Sequence, residues 1–413
     1  MDSCHAAAIL AAPSQPSQNC NKTVTPVKHG IRTVRVNLKR LNRIGNVKES
    51  LMKSGNWKLI AAATISVLGA LGPLPSWAQD SWTDSIAIKG DVRLRYDGIR
   101  EEGDPDRDRA RFRFRLGLTA DVNDNVKAIL RFASGGDNPV STNQSFDDGF
   151  SRKDVGVDQA YLDWTLNENT HVYGGKMRNP LHRVGGHALI WDSDLNPEGV
   201  AVKYESGGFF GTAGLMFVEE RSATDDSLLM AVQGGYEFDV SDGVKLIAGA
   251  GYFSYTDTIG NAPFYDENPR GNSVDIEGNL LLEYKELEVF AELDMKLGDM
   301  PFKVFADFLQ NSDANTQDNG FAFGAVIGRA GDPGTWQASW TYQDLEADAL
   351  ISTFTDSDFG GGGTDSKGHV LKGRYVLADN WALAGQLYLN EVDRFAGNPH
   401  DYDRVLLDLE FAF

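Results

Sequence analysis

Residues 404–413 read RVLLDLEFAF. In an extended chain Val405, Leu407, Leu409, Phe411 and Phe413 share one face while Arg404, Asp408 and Glu410 share the other, because successive side chains point to opposite sides of a strand. Residues 109–119, RARFRFRLGLT, repeat this pattern. There Ala110, Phe112, Phe114, Leu116 and Leu118 alternate with Arg109, Arg111, Arg113, Arg115 and Thr119. A soluble sandwich would not bury such an arginine row, but a barrel whose apolar face meets lipid places the row along water inside.

Alternation alone does not choose between sandwich and barrel; the connections do. Tight turns at 122–125, 166–169, 206–208, 298–301, 330–334 and 377–380 alternate with long polar loops at 134–156, 179–198 and 344–368. Short connections at one end and long ones at the other are the barrel pattern, and long structureless loops are uncommon in compact soluble domains. These turns predict an all-β fold, a transmembrane antiparallel barrel of about 16 strands with residues 273–284 mainly loop. In lipid every backbone amide must find a partner, and only a helix or a closed barrel achieves that. Trp164, Trp336, Trp340, Tyr342, Tyr375 and Trp381 fall near strand ends on the apolar face, where interfacial aromatic girdles form.

The chain has 413 residues, with 39 Lys+Arg against 59 Asp+Glu and 44 glycines. Its mean hydropathy of -0.33 excludes a bundle of spanning helices. Residues 1–78 hold 10 basic and 2 acidic residues, so the remainder carries 29 basic against 57 acidic. An acidic body argues against nucleic acid as a partner, since phosphate contacts need clustered basic groups. Both cysteines, Cys4 and Cys20, lie in the first 78 residues, and no thiolate metal site or disulfide is expected beyond them.

From Met52 the sequence reads MKSGNWKLIAAATISVLGALGPLPSWAQD. Two lysines, an uncharged run from Leu59 to Gly72 and the small residues Ser76 and Ala78 before Gln79 make this a secretory signal peptide, with cleavage expected after Ala78. The apolar run is shorter than the roughly 20 residues of a spanning helix. Residues 1–51 form a basic stretch upstream, either a true extension or sequence preceding the real start at Met52. The expected organisation is therefore 1–51 doubtful extension, 52–78 signal peptide and 79–413 outer-membrane barrel.

The segments DQAYLDW (158–164), GGKMRNP (174–180), WDSDLNPEG (191–199), DFLQNSDA (307–314) and DLEADALISTFTDSDFGGGGTD (344–365) resemble the putative porin family of bacterial outer-membrane proteins. The resemblance spans most of residues 84–413. It implies a passive diffusion channel for ions and small hydrophilic solutes in the outer membrane of a Gram-negative envelope, reached through the periplasm. It also implies that the terminal Phe413 resembles the aromatic end read by barrel-assembly machinery, which bottom-up is equally a lipid-facing girdle residue. By analogy with general porins it implies a homotrimer.

Permeation needs a water-filled lumen, a constriction and fixed charge, and no cofactor. By parity Arg93, Arg95, Arg109, Arg111, Arg113, Arg115, Lys127 and Arg131 form one basic wall facing inward. In general porins the loop after the fifth strand folds into the channel; here that loop is 179–198, whose Asp192, Asp194 and Glu198 would set an acidic edge against the wall. Two alternatives stand beside this. The Asp192-Ser-Asp194 run also fits a turn capped by side-chain to amide bonds, and the arginines also fit a bracing role, paired with acids such as Asp91 and Asp121.

Weaker constellations are His182 and His187, whose spacing in a loop is poor for zinc and which are expected to be free, and Asp356, Asp358 and Asp365 around Gly360–Gly363. The latter lack the ordered spacing of a calcium loop and read as a turn with solvated carboxylates. An alternative function is a plugged structural or adhesive barrel. A barrel lipid hydrolase would need a serine beside a histidine at the interface, and none of the five histidines beyond Gln79 stands in a nucleophile motif.

Overall fold

The computed structural model describes residues 85–413. The upstream extension, the signal peptide and its cleavage bond lie outside the described residues.

Sixteen antiparallel staves follow one another around a ring: β1 (Ile86–Glu101), β2 (Arg107–Asn123), β3 (Val126–Ser134), β4 (Val155–Asn167), β5 (Thr170–Lys176), β6 (Glu198–Ser206), β7 (Phe209–Glu219), β8 (Ser227–Ser241), β9 (Val244–Tyr255), β10 (Lys285–Leu297), β11 (Met300–Asn311), β12 (Asn319–Gly328), β13 (Trp336–Leu345), β14 (Ser366–Ala378), β15 (Trp381–Val392) and β16 (His400–Ala412). β1 pairs with β2 on one side and with β16 on the other, so no edge is left unpaired. A two-residue segment, Gln144–Ser145, pairs with Arg111 and Phe112 where β3 stops short of the top of β2, and adds no stave. The segment before β10 is loop, holding one isolated bridge between Val274 and Leu280.

The parity is as the sequence predicts. Leu94, Tyr96, Val405 and Leu407 stand exposed outside, while Arg93, Arg95, Arg404 and Asp408 are buried inside. Trp164, Trp336, Tyr375 and Trp381 are exposed near the short turns, with Trp381 packed edge-on against Phe411. Tyr252, Phe308, Phe321 and Tyr342 mark the opposite end, near the long loops.

The largest apolar core lies inside the ring. The loop between β5 and β6 (residues 177–197, L3) brings Leu181, Leu189, Ile190, Trp191 and Leu195 against Met216, Leu229, Phe253 and Leu309 of the inner wall. The loop between β9 and β10 (256–284, L5) adds Phe264, Leu280 and Tyr284, and the loop between β13 and β14 (346–365, L7) adds Ala349, Leu350 and Ile351. Burying these side chains stabilises the inward fold of three loops that would otherwise pay their ordering entropy for polar contacts alone. What stays open includes a space of about 1400 Å³ lined by β2 to β9 and L3, and smaller ones against β1, β2 and β14 to β16.

Candidate functional site: the luminal constriction

L3 is held to the wall by residues that the sequence left as free loop histidines. Instead of being free, His182 lies between the rings of Phe210 and Phe290 with Nε2 2.5 Å from Glu292 Oε1. His187 stacks on Phe305 and reaches Asp307 at 3.4 Å. Burial, with Lys372 and Arg183 nearby, holds His187 down at about 3, so it is neutral. Gly185 adopts φ +59°, and a Cβ there would meet Phe305 at 2.3 Å, so only glycine lets the loop press this close.

L7 also enters the lumen, which corrects the expectation of a solvated turn around Gly360–Gly363. All four glycines have positive φ, and a Cβ on Gly363 would stand 2.2 Å from the Arg270 carbonyl oxygen. The coil they make presents Asp358 to Arg95 at 3.3 Å and to Arg404 at 3.0 Å. L3 and L7 are stitched together: Asp192 N donates to Phe354 O (2.8 Å), Ser357 N to Asp192 Oδ2 (2.9 Å) and Thr355 Oγ1 to Leu189 O (2.7 Å). Asp365, also expected in water, is 2% exposed and accepts backbone amides from Phe395 and Ala396.

The basic wall is heavily paired. Arg95 makes two 2.7 Å bonds to Asp408, and Arg404 two bonds of 2.9 and 3.0 Å to Asp97, so both ion pairs cross the seam between first and last staves. Asp97 also takes Arg109 at 2.6 Å and Arg111 at 3.2 Å. Asp91 takes Arg113 at 2.9 Å and Arg115 at 2.8 Å. Arg93 bonds Asn143, and Arg131 bonds Asp158, which in turn accepts from Asn196 of L3. Lys127 sits apart near a short turn, exposed and 3.8 Å from Asp121.

Among the acidic candidates, Asp194 meets the wall, 3.9 Å from Arg113 and 3.6 Å from Arg115. Asp192 caps its own turn, accepting from Asp194 N at 2.7 Å, and lines the same opening. Glu198 is not brought to the arginines; it opens β6, exposed, and pairs with Lys176 at 2.8 Å. Sequence reasoning did not name Asp358, Arg404, Arg183 or Lys372 for the constriction. An alternating-strand parity extended to β14 and β16 would have found Lys372 and Arg404.

Three spaces follow one another along the lumen. The outermost, about 210 Å³, is lined by Arg107, Arg109, Arg111, Arg404 and Asp358. The middle one, about 190 Å³, lies between L3 and L7, and the third, about 1400 Å³, runs from Arg183 and Asp192 toward the short turns. Burial opposes charge on all four constriction carboxyls, and their neighbours decide the outcome. Arginines hold Asp194 low and Asp358 down at about 2, whereas Asp192 and Asp356, each raised further by a neighbouring carboxylate, lie above the ordinary range.

A selectivity change with pH follows. Falling pH protonates Asp192 and Asp356 first, while Asp194 and Asp358 keep their charge, so the constriction becomes more positive. The reversal potential in a KCl gradient should move toward anion preference as pH falls from neutral toward the ordinary aspartate range. An unchanged reversal potential over that interval contradicts the assignment.

A closed sixteen-stranded barrel with an apolar exterior, a charged interior and loops folded into the lumen defines an outer-membrane channel. The chain belongs to the putative porin family, whose sequence model matches residues 100–272 and 276–413. The solved structure of OprB from Pseudomonas putida is similar in fold, with a TM-score of 0.55 at 15% identity, covering 80% of this chain and 95% of that one. A mutant of the porin of Rhodopseudomonas blastica aligns with a TM-score of 0.47 at 11% identity (79% and 100% covered), and OmpT of Vibrio cholerae with 0.46 at 13% (81% and 100%). No curated protein matches the sequence. The protein is an outer-membrane porin.

Proposed function

We propose that ions and small hydrophilic solutes diffuse passively along the arginine wall and are sorted where L3 and L7 meet it. The observation that carries this reading is the position of Asp194 within ion-pair range of Arg113 and Arg115, at the narrow space the luminal core leaves free. Opposed charges across narrow water polarise it and act directly on a passing ion, whereas carboxylates on the outer loops, beyond a Debye length of about 8 Å, are screened. No covalent step is needed, and the barrel acts as a channel without enzymatic chemistry. The arginines serve both roles weighed from the sequence: their ion pairs brace the wall, and their remaining donors face solute.

In this reading the chain crosses the periplasm after cleavage at Ala78, its Phe413 serves the barrel-assembly machinery, its exterior meets outer-membrane lipid, and it assembles as a homotrimer. A structural, plugged barrel is the second reading, favoured by the core that three loops build inside the lumen. Planar-bilayer recording of the purified protein separates the two: a stable open current supports the channel, and its absence supports the plug. Replacing Arg111 and Arg113 together by glutamine should move the reversal potential toward cations, because Asp97, Asp91 and Asp194 lose a counter-charge at once. An unchanged potential and conductance would leave these arginines as bracing only.

A further inference from the structure

The middle space holds charges of both signs that do not neutralise each other. Lys372 projects inward from β14 and lies over the Tyr388 ring at 5.8 Å, and Arg183 of L3 bonds only the Gly186 carbonyl, at 3.3 Å. Among the described residues neither makes an ion pair. Asp192 and Asp356 likewise have no cation in contact; their oxygens accept backbone amides of Asp194, Ser357 and Asp358. Arg93, 8% exposed, lines the same space with a buried Nε that has no partner among the described residues. Along the wall Arg95, Arg109, Arg111, Arg113, Arg115 and Arg131 each touch a carboxylate, so two free cations and two free carboxyls facing one space of about 190 Å³ depart from the local rule.

We infer that the space between L3 and L7 is a binding subsite for small zwitterionic solutes of the α-amino acid class, with Lys372 and Arg183 taking the carboxylate and Asp192 and Asp356 the ammonium. Charge complementarity is the reason: a dipolar solute supplies both missing counter-charges, an anion or a cation supplies one and meets the other as repulsion, and a neutral solute supplies neither. The volume suits a solute of a few heavy atoms displacing ordered water. Asp194 and Asp358, already matched to arginines, do not take part. This inference rests on the channel reading.

The test is liposome swelling with four near-isosteres: alanine as zwitterion, lactamide as neutral, lactate as anion and ethanolammonium as cation. For the intact porin alanine should enter about fivefold faster than lactamide, the ratio that roughly 1 kcal/mol of paired contact gives. Lys372→Met and Asp356→Asn should each bring the ratio of the alanine rate to the lactamide rate toward one, and Lys372→Arg should retain the preference. Equal alanine and lactamide rates in the unmodified protein overturn the subsite whether or not any variant folds, and faster lactate than alanine replaces it with a plain anion filter. If none of the four solutes enters and bilayers show no current, the channel reading itself fails.

Discussion

Replacing Asp97 by alanine is expected to cost about 3–5 kcal/mol of barrel stability, the loss seen when one partner of a buried ion pair is removed. The carboxylate is fully buried and is shared by Arg404, Arg109 and Arg111, with Arg404 itself only 4% exposed. Its removal leaves Arg109 and Arg111 beside one another in the lumen wall without a counter-charge. Arg404 would turn to Asp358 alone and pull on L7. Urea unfolding in phospholipid vesicles, followed by tryptophan fluorescence, measures the effect. A loss below about 1 kcal/mol would mean that water and the remaining acids replace the carboxylate, as they do for exposed pairs.

The second large effect is expected on the opposite face. Leu407 is 55% exposed on the outside of β16, near the middle of the stave, and Leu407→Arg should cost about 2–4 kcal/mol if that level is the bilayer midplane. Phe112 has the same parity and nearly the same level, since it pairs with Leu94 where Leu407 pairs with Tyr96, and it stacks on Phe146 of the long loop between β3 and β4, 5.2 Å between ring centres. Phe112→Arg should therefore also cost about 2–4 kcal/mol from lipid exposure, beyond the lost stacking. Insensitivity at both positions would mean that the inner and outer faces are reversed.

These two residues also mark what could be read from the sequence. Period-two alternation places each stave residue inside or outside, and the turns divide the staves, because lipid and water constrain every position along a strand. The loops obey no such period. L3 was legible in its position and in Asp192 and Asp194, yet its packing rests on the apolar run Ala188 to Trp191, and that of L7 on Ala349 to Ile351, inside otherwise polar segments. An apolar run in a loop expected to face water is itself a sign of burial, and it was the available signal for the luminal core. The free charges of Lys372 and Arg183 were not legible at all. Being unpaired is a property of the neighbours in space, which come from β14, L3 and L7, far apart in the chain.

The seam between the first and last staves has a meaning for how the molecule is made. Its two bidentate pairs join residues 313 and 307 positions apart, so Arg95 stays without Asp408, and Asp97 with only Arg109 and Arg111, until the C-terminal strand has arrived. Every hairpin can form as its own two strands emerge, but the ring cannot shut early on a neighbouring strand without leaving buried charges unmatched. The clasp thus registers completeness: a chain broken off before residue 404 keeps β1 without its second neighbour and Arg95 without Asp408.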